Sequence, residues 1–218
     1  MGLGISKTSR KEFDNSDFNF NRFEFDIESF TEYLKITNTS IDEKLKKDIT
    51  EYKKIDDPEI ASLLFDDLEM YIKSNTLQLY YSSIIISLYS FLEQTMLELC
   101  TVAEKNNNLK IEDISGTGIF KFKTYLEKVI HIDFQPINTE WKEISQYNHL
   151  RNLFVHYSNS LMDESTAKKR KNSIQEIKGL KFNNNSDNIF IEFENDIAVR
   201  NFITTIRSFI SKIYYENI

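Results

Sequence analysis

Residues 77–105, LQLYYSSIIISLYSFLEQTMLELCTVAEK, decide the fold. Neither Gly nor Pro interrupts the stretch, and Ile84, Ile85, Ile86, Leu88, Tyr89, Phe91, Leu92, Met96, Leu97 and Leu99 fall on nearly every side of a helix. A helix that is apolar all round must be covered all round. It is therefore either the centre of a bundle or shared with a second subunit.

Working outward, the flanks also read as helices. Ser40 followed by Glu43 is a capping box, which predicts a helix from Ile41 to about Lys54. Asp56-Asp57-Pro58 ends it and opens another, to about Ser74. On the C-terminal side, Asn106-Asn107-Asn108 stops the central helix, and Gly116 and Gly118 mark a loop. Ile119 to His131 has helical apolar spacing, and Pro136 precedes a helix from Glu140 to about Ser158. A charged segment, Glu164 to Ile177, reads as one more helix. Leu180 to Phe182 and Ile189 to Phe193 flank six polar residues and predict a small β-hairpin with a loop longer than the tightest turns. Asp196 caps a closing helix that presents Ile197, Phe202, Ile206, Phe209 and Ile213 to a core. Residues 1–38 are polar with interspersed Phe and read as an irregular arm that docks by its aromatics, with a short strand near Phe23 to Ile27. The expected architecture is all-α, a single helical domain over 39–218 with a hairpin near the C-terminus.

Composition narrows the function. A chain of 218 residues suits one domain, and 5 Gly with 2 Pro leave little material for the turns of a sandwich or barrel. One Cys and 3 His cannot supply a disulfide framework or a tetrahedral zinc site within one chain, so no metal or cofactor is expected. The longest near-apolar run, Leu79 to Leu92, is shorter than the roughly 20 residues of a membrane span. With no apolar core in Met1 to Arg10, a soluble cytoplasmic protein without membrane contact is expected. The net charge of −7 argues against indiscriminate nucleic-acid binding, which needs clustered Lys and Arg. Lys168-Lys169-Arg170-Lys171 is the densest positive run. It is either a solvated helix face or a local RNA-contacting patch.

The helix from Glu140 holds the candidate chemistry. At about 100° per residue, Tyr147, Leu150, Phe154, Tyr157 and Leu161 form a core stripe. Ser145, His149, Asn152 and His156 line the other side, where Lys and Glu would ordinarily stand. Arg151 lies about 140° from His156 on the same wheel. For the two to meet, the Arg side chain must reach round, the helix must bend, or a second copy must bring its own pair to the cleft. Cys100 on the apolar helix reads as inert core, and Trp141 and Tyr214-Tyr215 read as packing.

Arg151-Asn152-Leu153-Phe154-Val155-His156 resembles the motif of the HEPN superfamily, an Arg and a His separated by four to six residues with a polar residue after the Arg. Leu88-Tyr89-Ser90-Phe91-Leu92-Glu93 is similar to the family's first bundle helix, which presents an acidic residue toward the Arg. The likeness spans roughly residues 75 to 215. It implies a helical bundle, a homodimer that joins two motifs in one cleft, and metal-independent RNA cleavage by a toxin or antiviral effector, with an antitoxin or regulatory protein as a further partner. On that reading Arg151 stabilises the charged phosphate transition state, His156 is the general acid/base, and Asn152 orients His156 or binds the phosphate. Glu93 pairs with Arg151, His149 is an accessory proton carrier, and Lys168, Lys169, Arg170 and Lys171 contact RNA. Several toxins of the family carry a modifiable tyrosine two residues after the motif His, whereas here Tyr157 follows His156 directly and position 158 is Ser. The competing readings are a catalytically silent module that binds a protein or RNA, and a bundle that holds a nucleotide or small ligand.

Overall fold

A computed structural model describes residues 18–157, 160–161, 164–185 and 188–216. Helix α1 spans Phe20–Tyr52 and α2 spans Pro58–Tyr71, which a π-turn at Ile72–Thr76 joins to α3, Leu77–Glu104. A 3₁₀ turn at Ile111–Asp113 precedes α4 (Gly118–Lys128) and α5 (Asn138–Tyr157). The two-residue strand β1 (Ser160–Leu161), α6 (Glu164–Ile174), the hairpin of β2 (Leu180–Asn185) and β3 (Asn188–Phe193), and α7 (Ile197–Glu216) complete the chain. The fold is mostly helical, with the small antiparallel hairpin near the C-terminus as expected. The strands extend to Asn185 and from Asn188, so the connection is two residues long and not the longer loop read from the sequence. β1 lies antiparallel on the other edge of β3.

The apolar helix α3 is the centre of the bundle. Ile85, Leu88, Leu92, Met96 and Leu99 are fully buried, and α1, α4, α5, α7 and β3 pack round it. Gln78 ties the hairpin to this helix. Its Oε1 accepts from the Phe193 N–H at 2.6 Å, while its Nε2 donates to the Phe193 carbonyl at 3.0 Å and the Lys73 carbonyl at 3.1 Å. A buried amide thus satisfies both polar groups at the end of the central strand, beyond the reach of the short β1.

The N-terminal expectation is corrected. Residues 20–38 are not an irregular arm with a short strand; they are the first half of one 33-residue helix, and Ser40 lies inside it. The helix begins at Asn19, whose side chain accepts from the Arg22 N–H at 3.0 Å. Phe20, Phe23, Ile27, Phe30 and Leu34 recur at three- and four-residue steps, a stripe whose burial outweighs the local capping signal at Ser40. The aromatic docking itself holds: Phe20 stacks on Tyr214 at 4.6 Å and Phe23 on Phe91 at 5.8 Å. Residues 1–17 of the expected arm, with Phe13, lie outside the described residues.

The start of α7 also differs in detail. Asn195, not Asp196, accepts from the Ile197 N–H, at 2.9 Å. Asp196 instead takes the Arg200 guanidinium at 2.6 Å and the Asn38 amide at 2.9 Å, and the Asn38 carbonyl oxygen accepts from Tyr81 Oη. This polar chain links α1, α3 and α7. No described helix is long and apolar enough to cross a membrane.

Candidate functional site

Helix α5 packs against α3, α6 and α7. Tyr147 stacks on Phe202 at 4.0 Å and donates to the Ala198 carbonyl at 2.7 Å. Burial pushes its phenol well above the ordinary tyrosine range. Glu140 meets Lys212 at 2.8 Å and Ser208 at 2.8 Å, and Glu143 accepts from Thr205 at 2.6 Å. Lys142 and Gln146 both reach Glu176 beyond α6. Trp141 packs among Phe120, Phe134 and Phe209, as the packing reading expected.

On the side toward α6, His149 and His156 are exposed and Asn152 is half-buried. Together with Leu153, and with Lys169, Arg170 and Ser173 of α6, they line a cleft of about 670 Å³. Among the described residues that line it there is no carboxylate. In a chain of net charge −7, this is a local reversal of sign that favours an anion. The basic run divides at this point. Lys169 and Arg170 face the cleft, the Lys171 ammonium lies 5.3 Å from the Phe182 ring centroid toward the hairpin, and Lys168 is exposed but does not line the cleft.

Arg151 does not line the cleft. Its guanidinium carbon sits 5.4 Å from the ring centroid of Tyr89 on α3, and its Nη1 donates to Asn152 Oδ1 at 2.9 Å. Asn152 Nδ2 in turn donates to Asn148 Oδ1 at 3.4 Å. The guanidinium thus lies against α3 and touches the histidine face at its neighbour Asn152. Asn152 is the junction between them. The Arg151 Nε is buried without a hydrogen-bond partner.

The expected Glu93–Arg151 pair does not form among the described residues. Tyr89 occupies that place, and burial, reinforced by the Glu93 charge and opposed by Arg151, pushes its phenol up to about 12. Glu93 is half-buried beside the start of α4, so close that a Cβ on Gly118 would lie 2.8 Å from its Oε1. A carboxylate there faces the positive end of the α4 dipole. Gly118 itself has φ +56°. Tyr157 closes α5, but its side chain lies outside the described residues, as does that of Leu161. Cys100 is buried with Sγ 3.7 Å from the Phe122 carbonyl, and burial raises its thiol far above the ordinary range, so it stays protonated and unreactive.

Sequence reasoning missed Asn148 and Ser173. Asn148 stands one turn before Asn152, and Ser173 stands one turn after Lys169, so helical spacing held the signal for both. Among the described residues no group of three or more His, Cys, Asp or Glu is placed to hold a metal ion. Comparison with protein-family models, curated proteins and solved structures finds no match to this chain.

Proposed function

We propose that the cleft between α5 and α6 is an RNA phosphate site and that the chain is a metal-independent endoribonuclease of HEPN-like type, acting as a toxin or phage-defence effector. One observation carries the reading: two histidines on a single helical face share with Lys169 and Arg170 a cleft whose described lining residues include no carboxylate, while the Arg151 of the motif meets Asn152 of that lining. The chemistry suits these groups. A neutral imidazole takes the proton from a ribose 2′-OH, whose oxygen attacks the adjacent phosphorus; the P–O5′ bond breaks, and a second, protonated imidazole gives its proton to the leaving 5′ oxygen. The products are a 2′,3′-cyclic phosphate and a 5′-OH. Lys169, Arg170 and Arg151 offset the charge that grows on the phosphate oxygens. A second copy set across the cleft would add another Arg151 and His156, which is the homodimer that the resemblance implies. An antitoxin or other regulatory protein would then control the activity.

A second reading, a silent module that binds RNA or protein, is favoured by Arg151 being turned onto Tyr89 rather than into the cleft. Incubation of total RNA in EDTA with wild type, Arg151→Ala and His156→Ala separates the two. Cyclic-phosphate ends from wild type alone support the nuclease. Intact RNA in the presence of folded, RNA-binding protein supports the module.

A further inference from the structure

Helix α2 is unfinished as a packing element. None of its residues is buried, and on α1 burial stops at Leu34, so the distal half of the α1–α2 pair projects as a two-helix arm. Ala61, Phe65 and Leu68 are half-buried against α1. The next sector of the wheel, from about −80° to +40° relative to Ile60 at about 100° per residue, carries Met70, Leu63, Ile60, Tyr71 and Leu64, all exposed. Leu63 is 65% exposed, Met70 61% and Tyr71 60%. An apolar stripe running three turns is more than the scattered exposed residues of an ordinary surface.

Its charges indicate the occupant. Residues 57–71 hold five acidic and no basic side chains. Asp57 is committed to capping α2 and Glu69 to Lys73. Glu59 and Asp66 border the stripe on the side away from α1, and Asp67 stands within it. A second copy docked face to face about a two-fold axis would set these carboxylates against their own equivalents, which is repulsive. A surface of anionic lipid is disfavoured for the same reason.

We infer that the free face of α2 is a docking site for a basic amphipathic helix of a protein partner. Three turns of partner helix, about 12 residues with apolar anchors at i, i+3, i+4 and i+7, would match the stripe. Lys or Arg on its flank would meet Glu59, Asp66 and Asp67. A two-helix arm would then become a three-helix one.

The test uses the full chain and two synthetic helical peptides with the same Leu stripe, one flanked by Lys and one by Glu, followed by fluorescence anisotropy. The Lys peptide is expected to bind wild type and the Glu peptide to fail. The Leu63→Ser/Met70→Ser variant, which changes no charge, and the Asp66→Lys/Asp67→Lys variant are each expected to weaken binding at least tenfold with unchanged circular dichroism. Absence of binding overturns the inference. So does binding that neither variant affects, because the peptide then sits elsewhere on an acidic protein. Light scattering that shows a dimer dissolved by Leu63→Ser also overturns it, by making the occupant a second copy. Neither double variant touches the α5–α6 cleft, so this outcome is independent of RNA cleavage.

Discussion

Arg151 lies across the seam of α3 and α5 with its guanidinium over Tyr89 and one nitrogen on Asn152. Only a planar, forked cation serves both contacts at once. Arg151→Lys is therefore expected to lose RNA cleavage nearly as fully as Arg151→Ala, by about 10²-fold or more, in an end-labelled RNA assay. His156→Ala should lower the cleavage rate by about 10² to 10⁴ while RNA binding at fixed salt changes far less. Cys100→Ala should leave the rate unchanged. Gly118 is constrained twice, by its positive φ and by Glu93. Gly118→Ala is expected to cost about 1–3 kcal/mol in urea unfolding, and adding Glu93→Ala should return the part due to the clash but not the part due to the backbone.

At the scale of elements, the hairpin hangs on one side chain. Gln78→Leu leaves the Phe193 N–H and carbonyl buried without partners, at about 1–3 kcal/mol for each, and deuterium exchange at the end of β3 should quicken more than in α3. Helix α6 contributes charge: replacing Lys169 and Arg170 by Ala should reduce the slope of log K against log salt for RNA binding by about 1 to 2. The elements differ in how far the sequence exposes them. Helices α3, α5 and α7 are legible because their apolar residues repeat at helical spacing over many turns. Helix α1 is concealed by its own caps: Ser40 and Glu43 form a good local start signal worth about 1 kcal/mol, while the stripe from Phe20 to Leu34 gains its advantage only when α3 and α7 are there to cover it. The face of His149, Asn152 and His156 is legible for the same reason as α5. Its meeting with Lys169 and Arg170 is not, because it depends on how the chain reverses between α5 and α6. The Arg151–Tyr89 contact depends on the rotation of α5 against α3, which no local pattern encodes.

At the scale of the whole molecule, tyrosines shape the alkaline limit. Burial holds Tyr81, Tyr89 and Tyr125 up to about 12 in the folded state, against about 10 when unfolded. The sign follows from linkage: above pH 10 the unfolded chain releases these protons first, so their contribution to stability is intact below pH about 10 and is lost as pH rises toward 12. Tyrosinate absorbance near 295 nm should therefore rise in two stages, the second coinciding with loss of helical ellipticity. A single gradual rise over an unchanged helical signal would contradict the burial of these rings. The π-turn at Ile72–Thr76 bears on the molecule in another way. It lets α2 and α3 run on as one rod while setting their rotational phase, because a widened turn accommodates one residue more than an α-turn does. Five residues of such a turn sweep about the angle that four sweep in an α-helix, so deleting one residue there would restore regular winding and leave the free face of α2 pointing nearly where it does, whereas a deletion within the regular turns of α2 would rotate the residues before it by about 100°. The base of the arm thus acts as a slack link, a place where the chain can lose a residue without turning the surface it carries.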